Sequence, residues 1–491
     1  MENPLESLEP RALWGYFLAL SRIPRGSGNE AAATAWVADQ ARALGCQVTR
    51  DAAGNVLIRK AAAPGREGAA TTALQAHVDM VCEKNEATVH DFLTDPITVV
   101  RDGDLLRAQG TTLGADDGIG VAAALAVLAS RSIQHGPLEV LITVSEETGL
   151  TGAKELPAGC LRAANLLNLD SGRAGFITIG CSGGLDSEAV RPVALRAASP
   201  GRSAWRLKVG GLKGGHSGGA INQGRGNAIQ TLARALWALM PFDWELAAVA
   251  GGDKRNAIPR EASALLFLEP GQEPGLRAAL AGLEAETRAA LGAFDPEVTF
   301  TLESAAPGSR EVMQAQDARA VVAFLFTAPH GVIAESPVIP GLVQTSTNLA
   351  KVATGAGAVR VAMSHRSSVA SSKVAVADRV EALGALAGFT LSRGEGYPGW
   401  QPDLESPLAQ RVSAVHETLF GQPMVFRATH GGLECGLIGE GHPGLRMVSF
   451  GPDMWDIHTP DERVSISSVA QFWTLLAGVL ESLAPVPSTG A

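Results

Sequence analysis

The sequence predicts an α/β protein: a catalytic domain with a mixed, mostly parallel sheet flanked by helices, interrupted by an inserted α+β lid domain. Three observations lead there. Short β-type apolar runs alternate with helical patterns near the N-terminus, and strands separated by helices form parallel sheets covered on both faces. The pattern changes near residue 184 to strands and helices with polar faces, and the first style resumes after residue 399. Acidic and histidine residues fall at the ends of the expected strands, where open α/β sheets bind their ligands.

The elements follow in chain order. Residues 31–44 read as an amphipathic helix with Ala33, Trp36, Val37 and Ala41 on one face. Strands are expected at 55–59, 72–78, 138–144 and 166–170, with a buried helix at 120–128 between two of them. The middle carries strands at 205–211, 262–268, 297–302 and 359–363, and helices at 226–239 and 275–291. A helix at 404–419, a strand at 445–450 and a last helix at 465–483 return to the first style, before a frayed Pro/Ser/Gly tail. The domains are therefore 1–183 with 400–491, and 184–399 inserted between them.

Composition narrows the function. The 491 residues are 46% hydrophobic and 18% charged, which excludes wholesale disorder. Forty basic against fifty acidic side chains leave a net charge of −10, so no nucleic-acid partner is expected. No apolar run approaches the length of a membrane span, the longest being 119–129, and the start lacks a basic segment followed by an apolar one. A cytoplasmic protein without a membrane partner is expected. Five scattered cysteines read as reduced and structural.

Five segments carry chemistry. His77-Val78-Asp79 ends a strand, and residues two apart share a face, so His77 can ligate a metal while Asp79 orients its ring. Asp116-Asp117 sit in a glycine-flanked turn before an apolar helix. Asp117 reads equally as a helix cap, and Asp116 as a carboxylate shared by two cations. Ser145-Glu146-Glu147 follow a strand directly. The pair is either a solvated loop or one ligand beside a general base. Asn168-Leu169-Asp170 and the segment from Asp456 through His458 to Glu462 complete the set. Nitrogen and oxygen donors without thiolates suit Zn, Mn or Co, and one shared carboxylate suits a two-metal hydrolase. Gly224-Arg225-Gly226 is no dinucleotide loop, because no strand leads into it and the third glycine is absent.

These motifs, with Gly215-His216-Ser217-Gly218-Gly219, Asn222-Gln223-Gly224-Arg225-Gly226-Asn227-Ala228 and His430-Gly431-Gly432-Leu433-Glu434-Cys435-Gly436, resemble the dinuclear-zinc metallopeptidase family with carboxypeptidase-like and dipeptidase members. The resemblance runs from about residue 8 to 483. It implies that His77 and Asp170 bind one metal, that Glu147 and His458 bind the other, and that Asp116 bridges them. Glu146 would be the general base, Asp79 the support of His77, and the Asp116–Asp117 peptide bond would be cis. His216, on the lid, would polarise the scissile carbonyl, across a dimer interface in some arrangements. Asn256 and Arg366 would hold substrate. For Arg366 the choice lies between a fork on the peptide carboxylate and a surface ion pair. Gly432 would offer backbone contacts. The implied activity is hydrolysis of dipeptides, Xaa-His and broader, by a hydroxide held between two divalent ions, most simply Zn, in a homodimer formed through the lid. The alternatives are an amidase or carboxypeptidase-type hydrolase of N-acyl amino acids on the same site, and a non-catalytic metal-binding scaffold. The presence of Glu146 and of every ligand speaks against the scaffold.

Overall fold

The computed structural model describes residues 8–306 and 308–484, so the Pro/Ser/Gly tail lies outside the described residues. Contacts divide the chain into two compact units. One comprises Met1–Cys181, Trp400–Thr429 and Leu433–Ala491, the other Ser182–Gly399 and His430–Gly432.

The first unit is built on an eight-stranded sheet. Its order is Gln47–Arg50, Val56–Lys60, Leu138–Thr143, Thr72–His77, Asn165–Asn168, Arg446–Ser449, Phe176–Cys181 and Val425–Thr429. The four central strands, from Leu138–Thr143 to Arg446–Ser449, are mutually parallel. Antiparallel pairs enter only toward the edges, so the sheet is mixed with a parallel centre. Every residue of Leu138–Thr143, Thr72–His77 and Asn165–Asn168 is buried, as strands covered on both faces must be. Register sets His77 beside Thr143 and Gln75 beside Asn168. The residues that follow these strands, 77–79, 144–147 and 168–170, therefore leave the sheet at one edge.

The helix Ala115–Ala129 packs on Thr72–His77 and on the helix Arg11–Leu20. Asp116 and Asp117 are not helical in φ/ψ, so its regular part begins after them, close to the expected 120–128, and every residue from Ala115 to Leu128 is buried. A helix buried all round carries no polar stripe, and this one reads in the sequence as an apolar run. Leu125 is fully buried within it. Leu125→Ala should cost about 2–5 kcal/mol of stability, because it leaves a cavity that rigid neighbours cannot fill. Denaturant unfolding of the variant against wild type measures this.

On the helix Ala31–Ala43 the buried face is Ala33, Thr34, Val37, Ala38 and Ala41. Ala33, Val37 and Ala41 lie on it as expected, while Trp36 is only partly buried at its margin and meets Tyr16 edge-on at 6.3 Å. The expectation about apolar spans also needs correction. Ile466–Leu483 is long and apolar enough to cross a membrane, by length and composition alone. Ser467, Gln471, Thr474 and Glu481 form its exposed stripe, while Val469, Phe472, Leu476 and Leu480 are buried. Interleaved polar residues leave no unbroken apolar run of that length within it.

A small antiparallel sheet of Met454–Trp455, Arg463–Ser465, Leu105–Ala108 and Val99–Asp102 anchors the segment that carries His458. Ser465 then caps the last helix, its Oγ accepting from Ser468 N.

The second unit is an antiparallel sheet in the order Thr299–Ser304, Ser203–Gly210, Ala262–Leu268, Trp244–Gly251, Val343–Gly355, Ala358–Ser367, Gly183–Pro192 and Thr390–Arg393. Gly331–Glu335 pairs with Val343–Gly355 outside that path. Leu207, Leu232, Leu266, Val321 and Leu349 belong to its core, which draws on the helices Ala228–Ala238 and Ala315–Thr327. Asn227 starts the first of these helices by accepting from Ile229 N and Gln230 N.

Candidate metal centre

His77 closes its strand almost wholly buried, between two carboxylates. Its Nδ1 lies 3.4 Å from Asp79 Oδ1 and its Nε2 lies 3.3 Å from Asp116 Oδ1. The other oxygen of Asp116 is 3.2 Å from His458 Nε2, which is also 2.9 Å from Glu147 Oε1. The Asp116 carboxylate thus lies between two imidazoles. Asp117 turns away: its Oδ1 accepts from Gly120 N at 3.1 Å, a capping contact, and the Asp116–Asp117 bond is cis.

Asp79 does more than face His77. Its carboxylate accepts the backbone N–H of Glu146 at 3.0 Å and of Glu147 at 3.2 Å, and the hydroxyl of Ser27 at 2.7 Å. One carboxylate thereby ties the end of one strand to the turn after its neighbour. Glu30 secures the same turn, accepting from Ser145 N and Ser145 Oγ at 3.1 and 2.7 Å. Ser145 and His458 hold left-handed φ of 50° and 66°. Such a conformation costs a non-glycine residue about 1–2 kcal/mol, and it persists where surrounding contacts over-determine it.

Among the described residues, three groups offer ligand atoms that all lie within 4.8 Å of one another: His77, Asp116 and Asp170; His77, Glu146 and Glu147; and Asp116, Glu147 and His458. Asp116 belongs to the first and the last, so the two groups meet at one carboxylate. These are borderline-to-hard donors without sulfur, which fits Zn, Mn or Co.

The electrostatics fit cations as well. Burial pushes Glu146 up to about 8, with the Glu434, Glu147 and Asp116 carboxylates adding to it and His77 opposing. Burial and the Asp116 carboxylate also raise Asp170. Against its burial, Asp116 is held far below the usual carboxylate range by His458 and His77. His458 rises to about 10 on its hydrogen bonds to Asp116 and Glu147. Carboxylates this crowded and buried must be neutralised by protons or by metal.

Beneath the centre runs a buried polar chain that sequence reasoning missed. Asn168 Nδ2 donates to Gln75 Oε1, and Gln75 Nε2 donates to Glu434 Oε2, both at 2.5 Å. Thr143 Oγ1 donates to the same Glu434 oxygen at 2.7 Å. Burial lifts Glu434 to about 7. The signal available was a glutamate among apolar and glycine residues after His430.

The remaining candidates lie in the second unit. His216 Nδ1 accepts the N–H groups of Gly218 at 3.2 Å and Gly219 at 3.1 Å, which places the ring proton of the neutral form on Nε2. Burial and the nearby Arg366 charge lower its pKa. Asn256 is exposed and shares with His216, Lys213 and Arg260 the lining of a cavity of about 560 Å³. Arg366 is buried, so the surface ion-pair reading does not hold for it. Its Nη1 donates to Tyr397 OH at 3.2 Å, and its Nε has no hydrogen-bond partner among the described residues. Tyr397 also lines Gly432, where an added Cβ would meet the ring at 3.0 Å.

Imidazoles and carboxylates gathered where parallel strands end are the donor set of a metal-dependent hydrolase. The chain belongs to peptidase family M20/M25/M40, whose sequence pattern matches residues 73–482. It is 39% identical over 482 residues to the cytosol non-specific dipeptidase of Escherichia coli (strain K12), covering 98% of this chain and 99% of that one. The crystal structure of aminoacylhistidine dipeptidase from Vibrio alginolyticus matches with a TM-score of 0.90 at 38% identity, over 99% of both chains. Aminopeptidase PepT from Bacillus cereus shares the fold, with a TM-score of 0.57 at 18% identity over 97% of this chain and 100% of that one.

Proposed function

We propose that the chain is a metal-dependent dipeptidase that cleaves Xaa-His and other dipeptides. The observation that carries this reading is the Asp116 carboxylate between His77 and His458, with Glu147 and Asp170 completing a group on either side. In this reading His77 and Asp170 hold one cation, Glu147 and His458 the other, and Asp116 both. Bound cations, zinc first and manganese or cobalt as alternatives, would supply Lewis acidity and lower the pKa of water.

The chain's own residues do the rest. Glu146, whose backbone is pinned on Asp79, takes a proton from the attacking water and returns it to the leaving amine. Asp79 orients His77 and holds the 146–147 turn. The second unit acts as the lid. His216, with its proton on Nε2, donates to the developing oxyanion. The Arg366 guanidinium, which faces no carboxylate among the described residues, takes the substrate carboxylate. Asn256 and the backbone at Gly432 add polar contacts. The homodimer through residues 184–399 rests on the family resemblance, and the cytoplasmic location on the name of the Escherichia coli relative.

The test is amino-acid release from a panel of β-alanyl-histidine, glycyl-histidine, other dipeptides and N-acyl amino acids. Metal-stripped enzyme is assayed before and after zinc or manganese is restored. Cleavage of dipeptides only with metal is expected. Release of acyl groups alone would move the substrate class to amidase, and no cleavage under any metal would sink the hydrolase reading.

A further inference from the structure

Glu462, four residues after His458 and 2% exposed, accepts backbone N–H bonds from four successive residues. Leu113 and Gly114 donate to Oε2 at 2.7 and 2.9 Å, and Ala115 and Asp116 to Oε1 at 2.8 and 3.4 Å. The turn that delivers Asp116 is therefore wrapped around one carboxylate. On its other side the wholly buried Arg25 donates to Val78 O at 2.8 Å, Asp79 O at 3.2 Å and Gly114 O at 2.5 Å. Gly114 is gripped from both directions, its N–H on Glu462 and its carbonyl on Arg25. Its φ is +68°, and an added Cβ would meet Arg25 Nη2 at 2.5 Å, so only glycine fits. Glu462, Asp79 and Asp117 are the carboxylates whose charge supports the buried guanidinium.

We propose that Arg25 and Glu462 are a positioning clamp for the shared carboxylate, fixing the 113–116 turn against the His77 loop and the 458–462 segment so that Asp116 offers one oxygen to each imidazole. The inference rests on the reading of the centre as a two-cation site. Neither residue belongs to a ligand group; both act on main-chain atoms of the loops that carry ligands. Segment 458–462 supplies a candidate ligand at one end and the template for another at its far end. Partners at this remove from a metal tune its binding, and their loss typically weakens affinity or activity about 10–100-fold.

The experiment is calorimetric titration of zinc into the metal-stripped full chain, for wild type, Glu462→Gln and Arg25→Lys, with melting and steady-state kinetics on each. A glutamine amide keeps one acceptor oxygen and turns an NH₂ group toward donors. A lysine keeps the charge but cannot reach three carbonyls with a fixed fork. Wild type should bind two zinc ions. Both variants should melt cooperatively, bind the weaker ion about 10–100-fold less tightly, and lose kcat in step with KM little changed. Assayed far below each variant's melting temperature, where the fold is fully populated with or without added metal, excess zinc should still restore part of kcat. Variants with both wild-type zinc affinities, whatever their melting temperatures, overturn the clamp. If Glu462→Gln does not fold, Arg25→Lys decides. A wild type that binds no zinc overturns the metal-site reading instead.

Discussion

Glu146→Gln is expected to lower kcat about 10²–10⁴-fold, the usual contribution of a positioned general base, while metal content and KM stay near wild type. The separation follows from the turn. What positions Glu146 is its backbone N–H on Asp79 and the grip of Glu30 on Ser145, and neither uses the side chain that is replaced. Glutamine keeps the volume and the polarity but cannot take a proton. In the metal-free site Glu146 is pushed up to about 8 by burial first and then by neighbouring carboxylates, so it carries a proton at neutral pH. Cations beside it favour the ionised form and bring it into the range of a base. The acidic limb of kcat/KM in wild type should accordingly be absent from the variant. Glu147→Gln makes the contrast, because it removes a member of two ligand groups and should lose metal as well as rate. Amino-acid release and metal analysis on the same preparations separate the two. A Glu146→Gln enzyme that keeps most of the wild-type rate rules out its role as base.

The sheet was legible because its central strands are short apolar runs that stop at polar residues. Thr72–His77 and Leu138–Thr143 end where their chemistry begins, so strand ends and candidate ligands identify one another. The long antiparallel strands of the second unit were less visible. Val343–Gly355 opens on an unbroken polar run from Gln344 to Asn348, of which Thr345, Ser346, Thr347 and Asn348 are all buried, so its polarity reads as loop. Thr347 Oγ1 meets His365 Nδ1 at 2.8 Å and Ser346 Oγ meets His430 Nε2 at 2.7 Å, partners that no local pattern announces. The helix Arg11–Leu20, absent from the expected elements, buries Leu13, Trp14, Phe17 and Leu20 on one face.

At the centre, the five candidate ligands and Glu146 stand on loops that begin as strand ends or motifs. Arg25 carries no such sign, and the motif that contains Glu434 does not announce its role: each works through atoms more than fifty residues away in the chain. Sequence reads which groups could do chemistry. The supports that hold them are long-range and appear only when the loops are folded together.

Stripping the cations with a chelator should abolish hydrolysis and lower the melting temperature together, and the drop should be larger at pH 8 than at pH 6. A ligand present at 100 times its Kd stabilises the fold by about 2.7 kcal/mol, and at 1,000 times by about 4.1 kcal/mol. A loss of that size moves the midpoint by several degrees. The pH dependence follows from the metal-free site. His458 is raised to about 10 by Asp116 and Glu147. Its contribution is complete below the unfolded imidazole value of about 6.5 and is lost as pH rises toward 10. Glu146, raised to about 8 by burial, binds a proton in the fold that the unfolded chain has already released above about 4.3. Its ionisation therefore also erodes the metal-free fold as pH climbs through 8. Asp116, depressed by the two imidazoles, works in the other direction only under acid conditions, where its contribution is lost as pH falls. Metal competes with the same protons, so its affinity rises over the interval in which the stripped protein weakens. Both trends widen the gap between loaded and stripped melting temperatures from pH 6 to pH 8. Differential scanning calorimetry at the two pH values, with and without chelator, measures that gap. A midpoint indifferent to chelator at both would mean that the carboxylates around Asp116 are balanced by protons alone and that no cation holds this site.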